Sequence, residues 1–264
     1  MPARAIWKGS LMLGMESLPV KLYSAIEDRT LHFHVLEKST MERITQHTVN
    51  PETGEPVPRE HVQRGYEVER GVYVILTDED LEKAQPKESR DIDILRFVPA
   101  AHVHQQWYDR PYYLGPDGSD STSYFALAEA LETEDREGIA RWVMRKKQYV
   151  GALRSEGGYL MLITMKYAEE VLTAADLPRP SGRAPDAKEL QMAEQLVSAL
   201  QDDFRPEDFH DEYRERVMKF IEAKASGEKP RLKIVARKKE PKSLMESLAA
   251  SIKLTKREKE KQVA

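Results

Sequence analysis

The sequence contains no cysteine among its 264 residues. This absence excludes a disulfide framework, a zinc site built from thiolates and a cysteine nucleophile. It also suits a reducing compartment, where disulfides do not persist. The chain is long enough for one large β-domain or two smaller units, so a packed core must supply the stability.

Long hydrophobic runs are also missing. The first apolar run, residues 11–15, is too short for the core of a signal peptide, and no later run approaches the length of a membrane span. We therefore expect a soluble, cytoplasmic protein without a membrane partner.

Known catalytic motifs are absent as well, including the Walker loop and the patterns GxGxxG, HExxH and GxSxG. Two pairs of histidines have i, i+2 spacing: His32 with His34, and His102 with His104. We expect structural roles for both pairs, because the first has no third ligand nearby and neither belongs to a catalytic motif. The sequence thus predicts no enzyme, no cofactor and no metal site.

Charge is abundant but unevenly distributed. The chain carries 41 Lys and Arg against 45 Asp and Glu, a net charge of −4. From residue 229 onward, basic residues outnumber acidic ones by 12 to 4, which leaves an acidic body of net charge −12. Such a body argues against nucleic-acid binding unless its cations are gathered on one surface. The basic tail is typical of segments that contact nucleic acid or an acidic partner.

Residues 140–167 predict a long β-hairpin. Two runs rich in strand-forming residues flank a turn at residues 155–158, where two glycines can adopt positive φ. In the first run, read as one strand, Arg141, Arg145 and Lys147 share a face, and a bulge at Lys146 would bring all the basic positions together. This strand is either a polyanion-binding surface or an edge strand whose charges prevent aggregation.

The rest of the N-terminal region predicts further short strands, including residues 30–37, 72–76, 91–98 and 106–114. Thr77 caps a short helix, and residues 121–132 form an amphipathic helix that buries Phe125, Ala128 and Leu131. About eight strands with few helices predict a closed or nearly closed β-barrel. Residues 38–70, with strands at 43–49 and 62–69 around a proline-rich tip, predict either a protruding two-stranded arm or a surface excursion without a function.

The composition changes after a proline-rich linker at residues 178–185. Asp186 and Glu189 predict a helix start, and the helix carries an apolar stripe from Leu190 to Leu200. A second helix after Pro206, with a stripe from Phe209 to Ile221, ends at Gly227. Both stripes need a surface to cover them, either the barrel or a second copy of the chain.

Four long motifs resemble, in the same order, bacterial Ku, the family of DNA-end-binding proteins of non-homologous end joining. They are RAIWKGSLMLGMESLPVKLYSAIED, NPETGEPVPREHVQRGYEVERGVYVILTDEDLEKA, VMRKKQYVGALRSEGGYLMLITMKYAEEV and DDFRPEDFHDEYRERVMKFIEAKASGEKP. The resemblance covers about residues 3–230. One departure concerns the arm: some members have a cysteine pair at its tip, whereas this chain has none and cannot hold zinc there by thiolates.

The resemblance implies a mainly β fold with α elements. Residues 1–177 form a β-barrel core from which the bridge arm, about residues 38–70, protrudes. Residues 186–226 form a helical arm used in dimerisation, and residues 227–264 a basic, flexible tail. Two copies make a ring-shaped homodimer that threads onto the ends of double-stranded DNA without sequence preference.

The family comparison places Lys21 where the DNA channel begins. The other channel candidates are basic residues of the arm and the hairpin: Arg43, Arg59, Arg64, Arg141, Arg145, Lys146 and Lys147. These segments supply too few acids to pair buried cations, so contact with phosphate is the better account. The hairpin and the arm are then opposite walls of the channel.

The resemblance also implies that the tail recruits the ATP-dependent end-joining ligase, LigD, at DNA in the nucleoid. The candidates are Arg237, Lys238 and Lys239 for charge, with Leu244, Leu248 and Ile252 for folding on the partner. A disordered tail without a partner is the alternative.

Two other function classes remain open from the residues alone. One is an open β-barrel module that binds RNA or single strands without end specificity. The other is a hydrolase or nuclease that uses carboxylate pairs outside known motifs. The first predicts equal binding to linear and circular DNA, and the second predicts metal-dependent turnover.

Overall fold

The computed structural model describes residues 4–118 and 121–227. Within these residues the chain divides after Asp176 into two compact units. The first unit contains all the strands, and the second contains the two long helices that follow the proline-rich linker. The expected tail, residues 228–264, lies outside the described residues.

Seven strands of the first unit close a barrel, which confirms the predicted architecture. They are β1 (Trp7–Leu13), β2 (Glu16–Ser24), β5 (Asp91–Pro99), β6 (Tyr108–Pro116), β7 (Arg136–Met144), β8 (Lys147–Glu156) and β9 (Tyr159–Met165). Their order around the barrel is β1-β2-β6-β9-β8-β7-β5. The barrel closes where β1 meets β5 in parallel over three residue pairs, and its other neighbouring strands are antiparallel.

The barrel interior is a close-packed apolar core. Leu11, Leu22 and Leu114 are fully buried there, because strand alternation sends every second side chain inward. Trp142 stacks on Tyr149, its partner across β7 and β8, with ring centroids 5.5 Å apart. The interior is thus filled by side chains, and ligands must bind on the outside or at the ends.

Helix α2 (Thr122–Thr133) closes one end of the barrel. Its buried residues are Tyr124, Ala128 and Leu131, at i, i+4 and i+7. The prediction that Phe125 is buried was wrong: Phe125 is 54% exposed, and Tyr124 takes the inward position. The Tyr124 hydroxyl donates to the carbonyl oxygen of Leu114 (2.5 Å) and accepts from the amide of Leu160 (2.9 Å), which ties the helix to β6 and β9.

Residues 100–107 return along the outside of the barrel, because β5 and β6 run in the same direction. The Ala100 amide donates to the carbonyl oxygen of Asp135, before β7, and the Lys166 amide, after β9, donates to that of Trp107. Where this connection ends, the Tyr108 hydroxyl donates to Glu137, a carboxylate only 1% exposed, at 2.7 Å. Burial, together with this carboxylate, raises the pKa of Tyr108.

The arm differs from its prediction. β3 (Arg64–Glu69) pairs with β4 (Val72–Leu76) in a separate two-stranded sheet, so residues 72–76 belong to the arm and not to the barrel. The predicted strands at residues 30–37 and 43–49 were wrong: that region has only the single bridges Leu36–Arg43 and Val49–Pro56. Almost all residues of this region are exposed, so pairing them in regular strands would bury little side-chain surface.

The arm leaves the barrel after Ser24 and returns at Asp91. The strand registers place both points at the end opposite α2, which we call the open mouth. The hydrophobic core of the barrel includes no residue between 25 and 90, within the part of the chain described. The arm is therefore an insertion that the barrel does not need for its core.

Two of the helix starts agree with the sequence. The predicted capping pairs are present at α1 (Asp78–Lys83), which Thr77 caps, and at α3 (Ala187–Leu200), which Asp186 caps. α4 (Glu212–Ala225) begins after Asp211, so Phe209 lies before this helix and not on its stripe, contrary to prediction. None of the helices in the described ranges is long and apolar enough to cross a bilayer.

Candidate nucleic-acid interface

The basic run at residues 141–147 is two strands joined by a tight turn. β7 ends at Met144 and β8 begins at Lys147, and the two turn residues, Arg145 and Lys146, have φ values of 51° and 64°. The prediction of one strand with a bulge was wrong. Two successive left-handed residues make the turn that best matches strand twist, but its usual sequence signal is Asn-Gly or Asp-Gly. The turn at Gly157 and Gly158 is confirmed.

This turn separates the four basic residues of the run. Arg145 and Lys146 stand exposed at the tip, at the open mouth. Lys147 lies at the rim with its Nζ 5.4 Å from the centroid of the Tyr149 ring, a cation–π contact. Arg141 lies on the outer wall between Asp93 of β5 and Val150 of β8. The structure thus brings two of the four together and assigns the others different surroundings.

The turn borders a cavity of about 370 Å³ at the mouth. Its lining combines three basic residues with one acidic, one hydroxyl and two apolar side chains: Arg90, Arg145, Lys146, Glu88, Ser89, Trp7 and Val143. Sequence analysis did not identify Arg90, because it reaches the turn through the antiparallel pairing of β5 with β7, which joins residues about 50 positions apart in the chain. No local motif signals such a contact.

Lys21 lies on the outer face of β2 and pairs in register with Lys8 of β1, a residue that sequence analysis also missed. Both lysines approach the carboxylate of Asp117: Nζ of Lys21 lies 2.6 Å from Oδ1, and Nζ of Lys8 lies 3.0 Å from Oδ2. The hydrogen bond from Lys21 lowers the pKa of Asp117, and the carboxylate in turn raises the pKa of Lys21. Two cations share one anion, so this cluster has a net charge of +1.

The arm residues form a smaller group. Arg59 begins a 3-10 turn and Arg64 begins β3, and both border one cleft with Asp78. Nη1 of Arg64 lies 3.5 Å from Oδ1 of Asp78, but both side chains are well exposed, so the pair adds little. Arg43 lies apart from this cleft, at the bridge with Leu36.

The four basic residues at 141–147 (Arg141, Arg145, Lys146 and Lys147) form no salt bridge with any residue in the described part of the chain. Arg154, farther along β8, differs because it pairs with the buried Glu137 at 3.7 Å. Exposed cations without acids are available to an external polyanion, whereas Arg154 offsets a buried charge. The tail candidates, residues 237–252, lie outside the described residues.

Comparison with known proteins shows extended similarity. A family model described as "Ku: Ku70/Ku80 beta-barrel domain" matches residues 13–192. The curated "Non-homologous end joining protein Ku" of Coxiella burnetii is 37% identical over 228 residues, which are 85% of this chain and 83% of that protein. Proteins of the same name from Solibacter usitatus and Archaeoglobus fulgidus are 34% and 35% identical over 98% and 96% of this chain, and over 97% and 100% of their own lengths. The similarity thus extends over both compact units.

Proposed function

The chain belongs to the Ku family, and on that premise we propose that it binds the ends of double-stranded DNA during non-homologous end joining. In this proposal two copies form a ring around the duplex, in which each barrel cradles the DNA and each arm crosses over it. The protein acts by binding and carries out no chemistry of its own.

One observation carries this proposal: the arm and the two exposed cations of the β7–β8 turn belong to the same end of the barrel. The insertion leaves after β2 and returns at β5, at the open mouth where the β7–β8 turn presents Arg145 and Lys146. A duplex lying against that mouth meets cations on the barrel and has the arm beside it.

The sheet of the arm supports a second copy. Six apolar side chains on its two strands are between 48% and 67% exposed: Tyr66, Val68, Val72, Tyr73, Val74 and Ile75. Exposed apolar residues in this number mark an interaction surface. In the proposal the arms of two copies cover each other and close the ring.

Phosphate contact accounts for binding without sequence preference. Lys and Arg contacts to the backbone position a protein on DNA but carry no sequence information. A closed ring gives specificity for ends by topology, since it can be threaded only where an end is free. The acidic body then repels the duplex only weakly, because exposed charges farther than about 8–10 Å from it are largely screened.

Ring closure predicts that linear duplex is bound at least about tenfold more tightly than the same DNA closed into a covalent circle. The reason is topological, and the circle carries the same phosphates, which provide the charge-driven part of the affinity. A mobility-shift titration measures both affinities. As a control, one restriction cut in the circle restores binding. Equal affinity for both forms would contradict the ring and favour an open module.

Removal of the Asp117 charge tests the place of Lys21. The Asp117→Asn variant releases Lys8 and Lys21 from their shared carboxylate, so linear-duplex affinity is expected to rise about threefold to tenfold and its salt dependence to steepen. The matched control is Glu129→Gln, an exposed residue of α2 at the opposite end of the barrel, which changes the net charge equally without releasing a lysine. Equal gains from both variants would remove Lys21 from the channel.

For the tail we propose recruitment of the end-joining ligase LigD at DNA ends in the nucleoid. The support is the composition of residues 229–264, where a short amphipathic stretch lies between two basic clusters. Such segments fold on a partner and add phosphate contacts from their flanks.

A further inference from the structure

We propose that the cavity at the open mouth is a pocket for a single phosphate group of DNA, with Arg90, Arg145 and Lys146 as its cations. This inference rests on the proposed DNA binding and gives it a defined site. Three features support it: the composition of the cavity, the backbone of the turn and the fixed position of Trp7.

The composition of the cavity fits a phosphate. Its three cations outnumber its single acid, Glu88, and the hydroxyl of Ser89 adds a donor. Planar guanidinium groups bind phosphate oxygens in pairs, and an ammonium adds a mobile point charge. The cavity of about 370 Å³ is large enough to admit a phosphate together with part of its sugar.

The backbone of the turn is the second argument. Arg145 and Lys146 both adopt left-handed φ, which Gly, Asn and Asp accept far more readily than long side chains do. A turn selected for stability alone has Asn-Gly at these positions. Unfavourable backbone of this kind concentrates at functional sites, where another gain maintains it. The gain here is the placement of two cations beside Arg90.

The wall of the cavity is fixed by a close approach at Gly9. A Cβ at this position would collide with the Trp7 ring and with the carbonyl oxygen of Arg90. That same carbonyl accepts a hydrogen bond from the Ser10 amide at 2.8 Å. Both Trp7 and the backbone of Arg90 are therefore held in place by β1, so the pocket is preorganised on one side.

The rim below the turn is also anchored. Lys147 lies over the Tyr149 ring, and Tyr149 stacks on Trp142 in the core. This stack fixes the first residues of β8, from which the turn projects. The cations at the tip are therefore presented from a rigid base.

The central experiment replaces the turn by the pair that its geometry favours. The double variant Arg145→Asn with Lys146→Gly keeps the hairpin. Its Tm is therefore expected to be the same as that of the wild type or up to about 2 °C higher. Its affinity for a linear duplex is expected to fall about tenfold or more, and the salt dependence to decrease by about two phosphate contacts per subunit. A gain in stability together with a loss of binding is the signature of a turn kept for its charges.

Three single variants complete the test. Arg90→Gln leaves the turn intact and is expected to weaken DNA binding about fivefold. If the double variant loses stability, this single variant decides whether the pocket binds phosphate. Glu88→Gln is expected to strengthen binding about twofold to fivefold, since it removes the one negative charge of the pocket. Arg136→Gln, at the α2 end of β7, is the control and is expected to leave affinity within about twofold.

The DNA probe identifies which phosphate is bound. If the variants bind both 5′-phosphate and 5′-hydroxyl duplexes more weakly than the wild type does, the pocket is assigned to an internal phosphodiester. If they bind only the 5′-phosphate duplex more weakly, the pocket is assigned to the terminal monoester. Unchanged affinity and salt dependence in both the double variant and Arg90→Gln would overturn the pocket. The preference for linear over circular DNA, measured on the same samples, tests the ring separately. A wild type without this preference refutes the ring, and the variants alone then decide whether the pocket binds phosphate.

Discussion

Replacement of residues 27–86 by a glycine-serine linker of about ten residues is expected to lower the affinity for linear duplex by about 100-fold or more. It is also expected to abolish the preference for linear over circular DNA. Both effects follow if the arms close the ring, because an open barrel loses the phosphate contacts of the arm and releases DNA sideways.

The barrel is expected to survive this deletion. Its core includes no residue between 25 and 90 among those described, and the arm leaves and returns at one end. Loop-closure entropy changes by less than about 2 kcal/mol when a loop of this size is shortened. The deletion stops before Glu88 so that the cavity at the mouth keeps its lining.

Thermal unfolding and amide exchange of the barrel strands check that the deleted protein is folded, and mobility shifts with both DNA forms check its binding. Size-exclusion chromatography reports whether the deleted protein still forms a dimer. If the folded protein without its arm bound linear DNA as tightly as the full chain does, the arm would not be a wall of the channel.

Gly151→Ala is expected to destabilise the barrel by about 3 kcal/mol or more. A Cβ at this position of β8 would lie 2.5 Å from the carbonyl oxygen of Ile163 and 2.8 Å from the Trp142 ring. The carbonyl belongs to the ladder with β9, and the indole fills the core, so neither can move without further losses. Equilibrium unfolding in urea measures the change.

The control for this substitution is Gly118→Ala. A Cβ on Gly118 meets no atom of the described residues within 4 Å, and this glycine is not among those recorded with positive φ. Its effect is expected to stay within about 0.5 kcal/mol. A Gly151→Ala protein as stable as this control would show that the Trp142 ring can repack.

The sequence predicted the features that local chemistry determines. Most of the barrel strands, the capping pairs at Thr77 and Asp186, and the turn at Gly157 and Gly158 all follow from short patterns. Each pattern needs only its own neighbours, so one sequence is enough to identify it.

The remaining features depend on contacts between distant residues. Nothing near Arg145 and Lys146 signals a turn, because its left-handed backbone is adopted by residues that disfavour it. Arg90 joins the turn only through the antiparallel pairing of β5 with β7, and Trp7 joins Arg90 through the parallel pairing of β1 with β5. β4 reads as a buried strand because it is apolar, yet it lies in the exposed sheet of the arm. Local hydrophobicity cannot distinguish a core strand from an apolar strand in an exposed sheet.

The arm insertion also sets the order in which the barrel can be completed during synthesis. β1 and β2 leave the ribosome first, but β5 and β6, their outer neighbours, follow an insertion of 66 residues, 25–90. Both edges of this first hairpin stay unpaired meanwhile, which makes folding slow and exposes strand edges to aggregation. We therefore expect the yield of folded protein to depend on the rate of synthesis and on temperature.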